Sequence, residues 1–325
     1  MLKYRILFAS LMIAAIPAAI SFSQENTWRL EENQNWDVVP VNNRTKFLSE
    51  ISDAQQSVDE GKTKAARKEF SEIKGNFSDF AGPDLDLFIK AELLLSQKKL
   101  SKAARNYDNM LTKYAESPLA NLAIIRESEI GMAFLNGRKK MALGFIPVSG
   151  TEDGIGILEK MIDHAGYNKQ ISVDASIAIA KNYEKRKKFD DAYLKWYEIY
   201  SLANKNDTIN KDALLGMAKA KLAVYNSKRE SKRSFYDASC LKTARTYFEM
   251  FQASYPEEAD KLGIAETLNV ITEQLAYKEL STGLFYQRTD NKESANLYFD
   301  MVINNWPNSK SAEIARNMLN KNNGS

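Results

Sequence analysis

Five times from Thr45 onward an alanine is followed, four residues on, by an aromatic side chain: Ala66 and Phe70, Ala103 and Tyr107, Ala192 and Trp196, Ala244 and Phe248, Ala295 and Phe299. In four of the five a second small residue stands twelve positions earlier, at Ala54, Ala91, Ala180 and Gly283. An aromatic ring recurs eleven positions after the alanine at Phe77, Tyr114, Tyr255 and Trp306, with Pro256 and Pro307 directly behind the last two. No other feature constrains the fold as strongly. Small residues twelve apart meet where two helices of a hairpin cross, because only Ala or Gly lets the backbones approach closely. The ring one turn further on lies on the same helix face and fills the wedge between neighbouring hairpins. A proline behind the second helix ends it and turns the chain into the next unit.

The spacing predicts about six hairpins over residues 45–321. Ala66 and Ala103 are 37 residues apart, but Ala103 and Ala192 are 89 apart, which leaves room for one enlarged hairpin between them. Its first helix is expected through Ile124 to Phe134 with Gly131 as the small residue, its second over 155–162, and the segment 136–153 as an insertion. The intervals of 52 and 51 that follow imply enlarged units as well, the fifth with a first helix over 214–224 and a loop over 226–234. A short helix over 312–319 closes the array and 322–325 frays. No strand alternation stands out after Thr45. Seven Pro and 14 Gly in 325 residues likewise favour long helices over a turn-rich β fold.

The first 23 residues have the layout of a secretory signal: Lys3 and Arg5, an apolar run over 6–20, then Ser21 and Ser23 at the spacing a signal peptidase cuts. The run is short for a membrane span and Pro17 interrupts it, so cleavage after Ser23 is expected over an uncleaved anchor. No later stretch reaches transmembrane length. The exported chain is then expected to be soluble, in the periplasm or at the periplasmic face of the outer membrane. Residues 24–44, polar and carrying Trp28 and Trp36, read as an extended tail.

Chemistry-bearing motifs are scarce. The single His164 and single Cys240 exclude His-rich and multi-Cys metal sites and a disulfide framework within the chain. No phosphate-binding loop, dinucleotide turn or nucleophile elbow is present. His164 sits at a helix C-terminus, a common structural position. The acidic pairs Asp190 with Asp191 and Glu257 with Glu258 fit helix starts and turns. No catalytic, metal or cofactor site is expected, and the chain is not read as an enzyme. With 45 Lys and Arg against 42 Asp and Glu, a nucleic-acid partner is not expected either. The runs Lys185–Lys188 and Lys228–Arg233 read first as solvated turns, and second as contacts for an acidic partner or lipid headgroups.

The Ala–aromatic spacing resembles the tetratricopeptide (TPR) repeat, which implies an all-α, right-handed solenoid with enlarged middle repeats and a protein-binding role. The resemblance is narrower at the C-terminus. The stretch 275–288, with Gly283 and Tyr286, followed by Ala295, Phe299 and the segment 305–309 around Pro307, resembles the last repeat of the BamD (YfiO/ComL) family. Those are TPR lipoproteins of the outer-membrane β-barrel assembly machinery. Segments 114–117 and 254–256 echo the Tyr-Pro-x-Ser ending of the family's repeats. The family carries a lipid on an N-terminal Cys, and this chain has no Cys there. The resemblance implies a non-catalytic envelope scaffold that binds proteins during outer-membrane protein assembly. The alternatives are a soluble periplasmic TPR adaptor for cell-wall or division complexes, and a helical-repeat enzyme.

Overall fold

A computed structural model describes residues 28–30, 36–38, 42–142, 146–202 and 207–323. The expected signal segment and most of the tail lie outside these residues. Where the tail is described, a short ribbon appears: β1 (Trp28–Leu30) pairs antiparallel with β2 (Trp36–Val38), Trp28 opposite Val38. The helical body begins three residues earlier than the spacing suggested, at Asn42.

Among the described residues the body is six helical hairpins and a closing helix, an all-α helical-repeat solenoid. The first helices (A) of the hairpins are α1 (Asn42–Asp59), α3 (Pro83–Ser96), α5 (Ala120–Leu135), α7 (Gln170–Lys185), α9 (Asp207–Asn226) and α12 (Ile264–Arg288). Their partners (B) are α2 (Thr63–Asn76), α4 (Leu100–Lys113), α6 (Thr151–Ala165), α8 (Phe189–Leu202), α10 (Ser239–Ser254) and α13 (Lys292–Asn305). A short α11 (Pro256–Lys261), which the spacing did not signal, bridges hairpins five and six. The closing helix α14 (Lys310–Asn323) is longer than the expected 312–319, and buries Ala312 and Ala315 on α12 and α13.

The paired alanines are fully enclosed. Ala66, Ala91, Ala103, Ala180, Ala192, Ala244 and Ala295 are inaccessible, and Ala54 nearly so. Phe70, Tyr107, Trp196, Phe248 and Phe299 are buried beside them. Trp196 packs on Gly216 of the next A helix, where any added Cβ would strike the indole. Phe299 instead sits on Gly283 of its own hairpin, 2.7 Å from where a Cβ would stand. Tyr286 is half-buried and stacks on Tyr298, while Pro307 is exposed. The aromatic residues eleven after the alanine each end a B helix in one shared backbone conformation: Phe77, Tyr114, Tyr255 and Trp306 have φ between −122° and −138°.

The third hairpin departs from the expectation in two ways. Its insertion contains strands after all: β3 (Lys139–Ala142) pairs antiparallel with β4 (Ile146–Ser149). The added residues displace the helix-B small position to Gly154, so the twelve-residue spacing fails there. Gly131 and Gly154 cross so closely that a Cβ on Gly154 would lie 2.8 Å from the Gly131 carbonyl oxygen. Four residues on, where the other hairpins carry a ring, stands the buried Leu158.

Five of the six A–B turns share one design. Two residues past the end of helix A the chain enters the left-handed region, at Gly61, Lys98, Gly137, Lys187 and Asp290. The N–H of that residue bonds three residues back and the next N–H five back, as in Lys98 to Leu95 and Lys99 to Leu94 at 2.8 and 2.9 Å. This closing motif favours glycine, yet three of the five positions are not glycine. In the fifth hairpin a loop with one 3-10 stretch, Glu230–Phe235, replaces the tight turn.

Candidate functional site

Helices α1 and α5 are both A helices, so they belong to one side of the solenoid. Between them lies a groove of about 340 Å³, walled by Gln55, Gln56 and Asp59 of α1 and by Leu122, Ile125 and Arg126 of α5. Arg126 is its central group, with a side chain only 7% exposed. Its Nε donates to Glu92 Oε1 of α3 at 3.2 Å, and its Nη1 reaches Glu129 Oε2 and Asp59 Oδ1 at 2.9 Å each. The bonds of Arg126 run through Nε and Nη1, and Nη2 is not among the buried atoms that lack a partner, so its two donors meet the solvent of the groove. Gln55 Nε2 donates to the same Glu92 oxygen at 2.6 Å. The arrangement therefore ties three successive A helices through one ion network.

Burial dominates the electrostatics. Glu92 is fully enclosed, and desolvation pushes its carboxyl above the usual range despite the opposing pull of Arg126. Burial is the largest influence on Arg126 and works against its charge, but Glu92 and Glu129 acting together hold the guanidinium above its ordinary value. Tyr107 lies under the same carboxylate, and burial followed by the Glu92 charge raises its hydroxyl well above normal.

His164 occupies a separate cluster. Its Nε2 lies 3.1 Å from Asp108 Oδ1 of α4, and Lys160 Nζ lies 2.5 Å from Asp108 Oδ2. Burial opposes the charge on Asp108, but the hydrogen bonds from Lys160 and His164 hold its carboxyl below the usual range. Beneath them Glu127 of α5 is 1% exposed, and its Oε2 has no partner among the described residues. Burial, then repulsion from Asp108, pushes the Glu127 carboxyl up to about 8. The His164 position at the end of α6 matches its expected place; its hydrogen-bond partner Asp108, 56 residues away, carries no signal in the sequence.

The larger recess, about 650 Å³, lies between the B helices α6 and α8. Its charged groups already satisfy one another: Lys195 bridges Glu198 at 2.9 Å and Glu159 at 3.6 Å, and the Tyr167 hydroxyl donates to Asp163 at 2.7 Å. The groove between α1 and α5 is the better candidate because Arg126, fixed by Glu92, Glu129 and Asp59, still presents Nη2 on its wall. Among the described residues no group of His, Cys, Asp and Glu is arranged to hold a metal ion. No helix among them is long and apolar enough to cross a membrane. Cys240, on α10, is half-buried.

No protein-family model matches the chain, and no curated protein is significantly similar to it. Among solved structures, the C-terminal part of a TPR repeat-containing protein from Cytophaga hutchinsonii is similar at 14% identity. The match covers 84% of this chain and 92% of that one, with a TM-score of 0.37.

Proposed function

We propose that the chain is a non-catalytic scaffold that holds a segment of a protein partner in the groove between α1 and α5. The observation that carries this reading is Arg126, nearly enclosed yet presenting Nη2 on the groove wall. An extended peptide supplies what the wall lacks: a carbonyl for Arg126 Nη2, and N–H groups or a cation for the exposed sides of Asp59 and Glu129. Preorganised donors of this kind add specificity because their burial cost is met before the partner arrives.

The setting proposed for this scaffold is the cell envelope, in a role like that of the BamD family in outer-membrane protein assembly. Support comes from the signal-like first 23 residues and from the C-terminal resemblance around Gly283, Ala295 and Pro307. Affinity capture from crosslinked cells, read by mass spectrometry, tests it. Recovery of the β-barrel assembly protein well above background is the expected result. Its absence, with strong enrichment of cell-wall or division proteins, would move the function to a periplasmic adaptor.

A further inference from the structure

In an array of antiparallel hairpins every A–B turn lies along one edge and every B–A connection along the other. Contacts between neighbouring hairpins agree with this arrangement. Thr63 at the start of α2 bonds Ser96 at the end of α3, and Glu152 at the start of α6 pairs with Arg186 and Lys188 of the next A–B turn. Lys221 near the end of α9 sits 3.8 Å over the ring of Tyr193 near the start of α8.

The two edges differ sharply in charge. Taken between the helix ends, the six A–B turns hold thirteen Lys and Arg against four Asp and Glu. The described residues of the B–A connections, α11 included, hold two Lys against five acidic residues. Three of the thirteen cations are neutralised by the start of α6: Lys140 by Asp153, and Arg186 and Lys188 by Glu152. Arg138, Lys139, Lys187, Arg229 and Lys232 have no ion-pair partner among the described residues and are exposed. A nearly balanced total charge conceals this polarity.

The two enlarged A–B turns also carry bare apolar side chains among these cations. Met141 and Ile146 of the β3–β4 hairpin are 64% and 42% exposed, and Phe235 and Tyr236 of the fifth turn are 69% and 42% exposed. The fifth turn is firmly built. Lys278 of α12 donates to the Ser234 and Tyr236 carbonyls at 2.9 and 2.8 Å, Arg233 to those of Asn226 and Lys228, and the Tyr225 hydroxyl to that of Arg233. Five carbonyls thus accept side-chain donors from within the fold, and internal satisfaction is the condition for a backbone to enter a poorly hydrated layer. A nucleic acid would use the cations but has no need of the four apolar tips; a lipid surface uses both.

We propose that the A–B edge is a peripheral docking surface for an anionic lipid leaflet, with Phe235 and Met141 entering the headgroup layer and the free cations facing lipid phosphates. This goes beyond the protein-binding role, since the groove between α1 and α5 is a separate feature, and it supplies membrane retention without a lipidated Cys.

The test is co-sedimentation of the chain from residue 24 onward with vesicles of equimolar phosphatidylglycerol and phosphatidylethanolamine. All four buried clusters lie between Phe47 and Ala315, so this chain retains every packed element. Binding is expected to anionic vesicles, to fall about fivefold for each cation neutralised in R138Q, K139Q, R229Q and K232Q, and to weaken in F235S combined with M141S. It should vanish in about 1 M NaCl, where the Debye length is about 3 Å. Equal binding to phosphatidylcholine vesicles, no binding at all, or undiminished binding by the four-cation variant with its helicity intact would overturn the proposal. So would binding to a DNA duplex, lost in the same variant, with none to vesicles.

Discussion

Replacing Arg126 by Met is expected to destabilise the body by about 3–5 kcal/mol at pH 8, measured by denaturant unfolding. The methionine fills most of the space, so the loss comes from charge. Glu92 is fully enclosed, and Arg126 Nε is one of the two donors that reach its Oε1. Without the guanidinium, the carboxyl, already raised by burial, rises further. An acid raised in the folded state loses stability as pH climbs from its unfolded value toward its folded one. The R126M deficit is therefore expected to shrink as pH falls through the ordinary carboxyl value of 4.5, below which Glu92 becomes neutral in both states. Adding Glu92→Leu to R126M should recover most of the loss, because no buried charge is then left alone. A single-variant cost under about 1 kcal/mol at pH 8 would contradict the enclosed ion network.

Glu127→Gln is expected to act in the opposite direction, stabilising the protein in alkaline solution and leaving it nearly unchanged near pH 4. The Glu127 carboxyl has a folded value of about 8 against an ordinary 4.5. Between those values the folded state binds more protons than the unfolded chain, so wild-type stability falls across that window. Each pKa unit is worth about 1.4 kcal/mol, and ionising Glu127 in place costs up to about 4–5 kcal/mol. Gln cannot ionise, so it should gain about 2–4 kcal/mol at pH 9 and flatten the profile between pH 5 and 8. Parallel pH profiles for the two proteins would show that Glu127 is not held neutral in the fold.

Much of the fold is legible in the sequence because the hairpin crossings demand residues of one size at one spacing. Ala54 with Ala66, Ala91 with Ala103, Ala180 with Ala192 and Gly283 with Ala295 are all such pairs. The reading fails where an insertion breaks the interval: Gly154 does the work of the helix-B alanine, yet it stands 23 residues after Gly131. The left-handed residues that close the A–B turns were hidden for another reason. Lys98, Lys187 and Asp290 adopt a left-handed conformation that usually announces itself as glycine, and the closing hydrogen bonds carry that strain instead.

The candidate site was scarcely legible at all. Asp59, Glu92 and Arg126 come from three helices, and Glu92 lies 34 residues from Arg126. Any Glu or Arg on an amphipathic helix looks like a solvated residue until the neighbouring hairpin covers it. The basic edge was half visible: Lys185–Lys188 and Lys228–Arg233 stand out as runs, but only the alternation of helix direction places both runs, and Arg138 to Lys140, on one side.

The groove between α1 and α5 is proposed as the face that binds protein. Gln56 lines this groove, whereas Leu194, 62% exposed, lies on the outward side of α8. The direct measurement is site-specific photo-crosslinking in cells, with a benzophenone side chain placed at Gln56 in one variant and at Leu194 in another. A discrete protein adduct is expected from Gln56, lost when Arg126→Met is added at a temperature where that variant stays folded, and none of the same mass from Leu194. An adduct from Leu194 with none from Gln56 would contradict it.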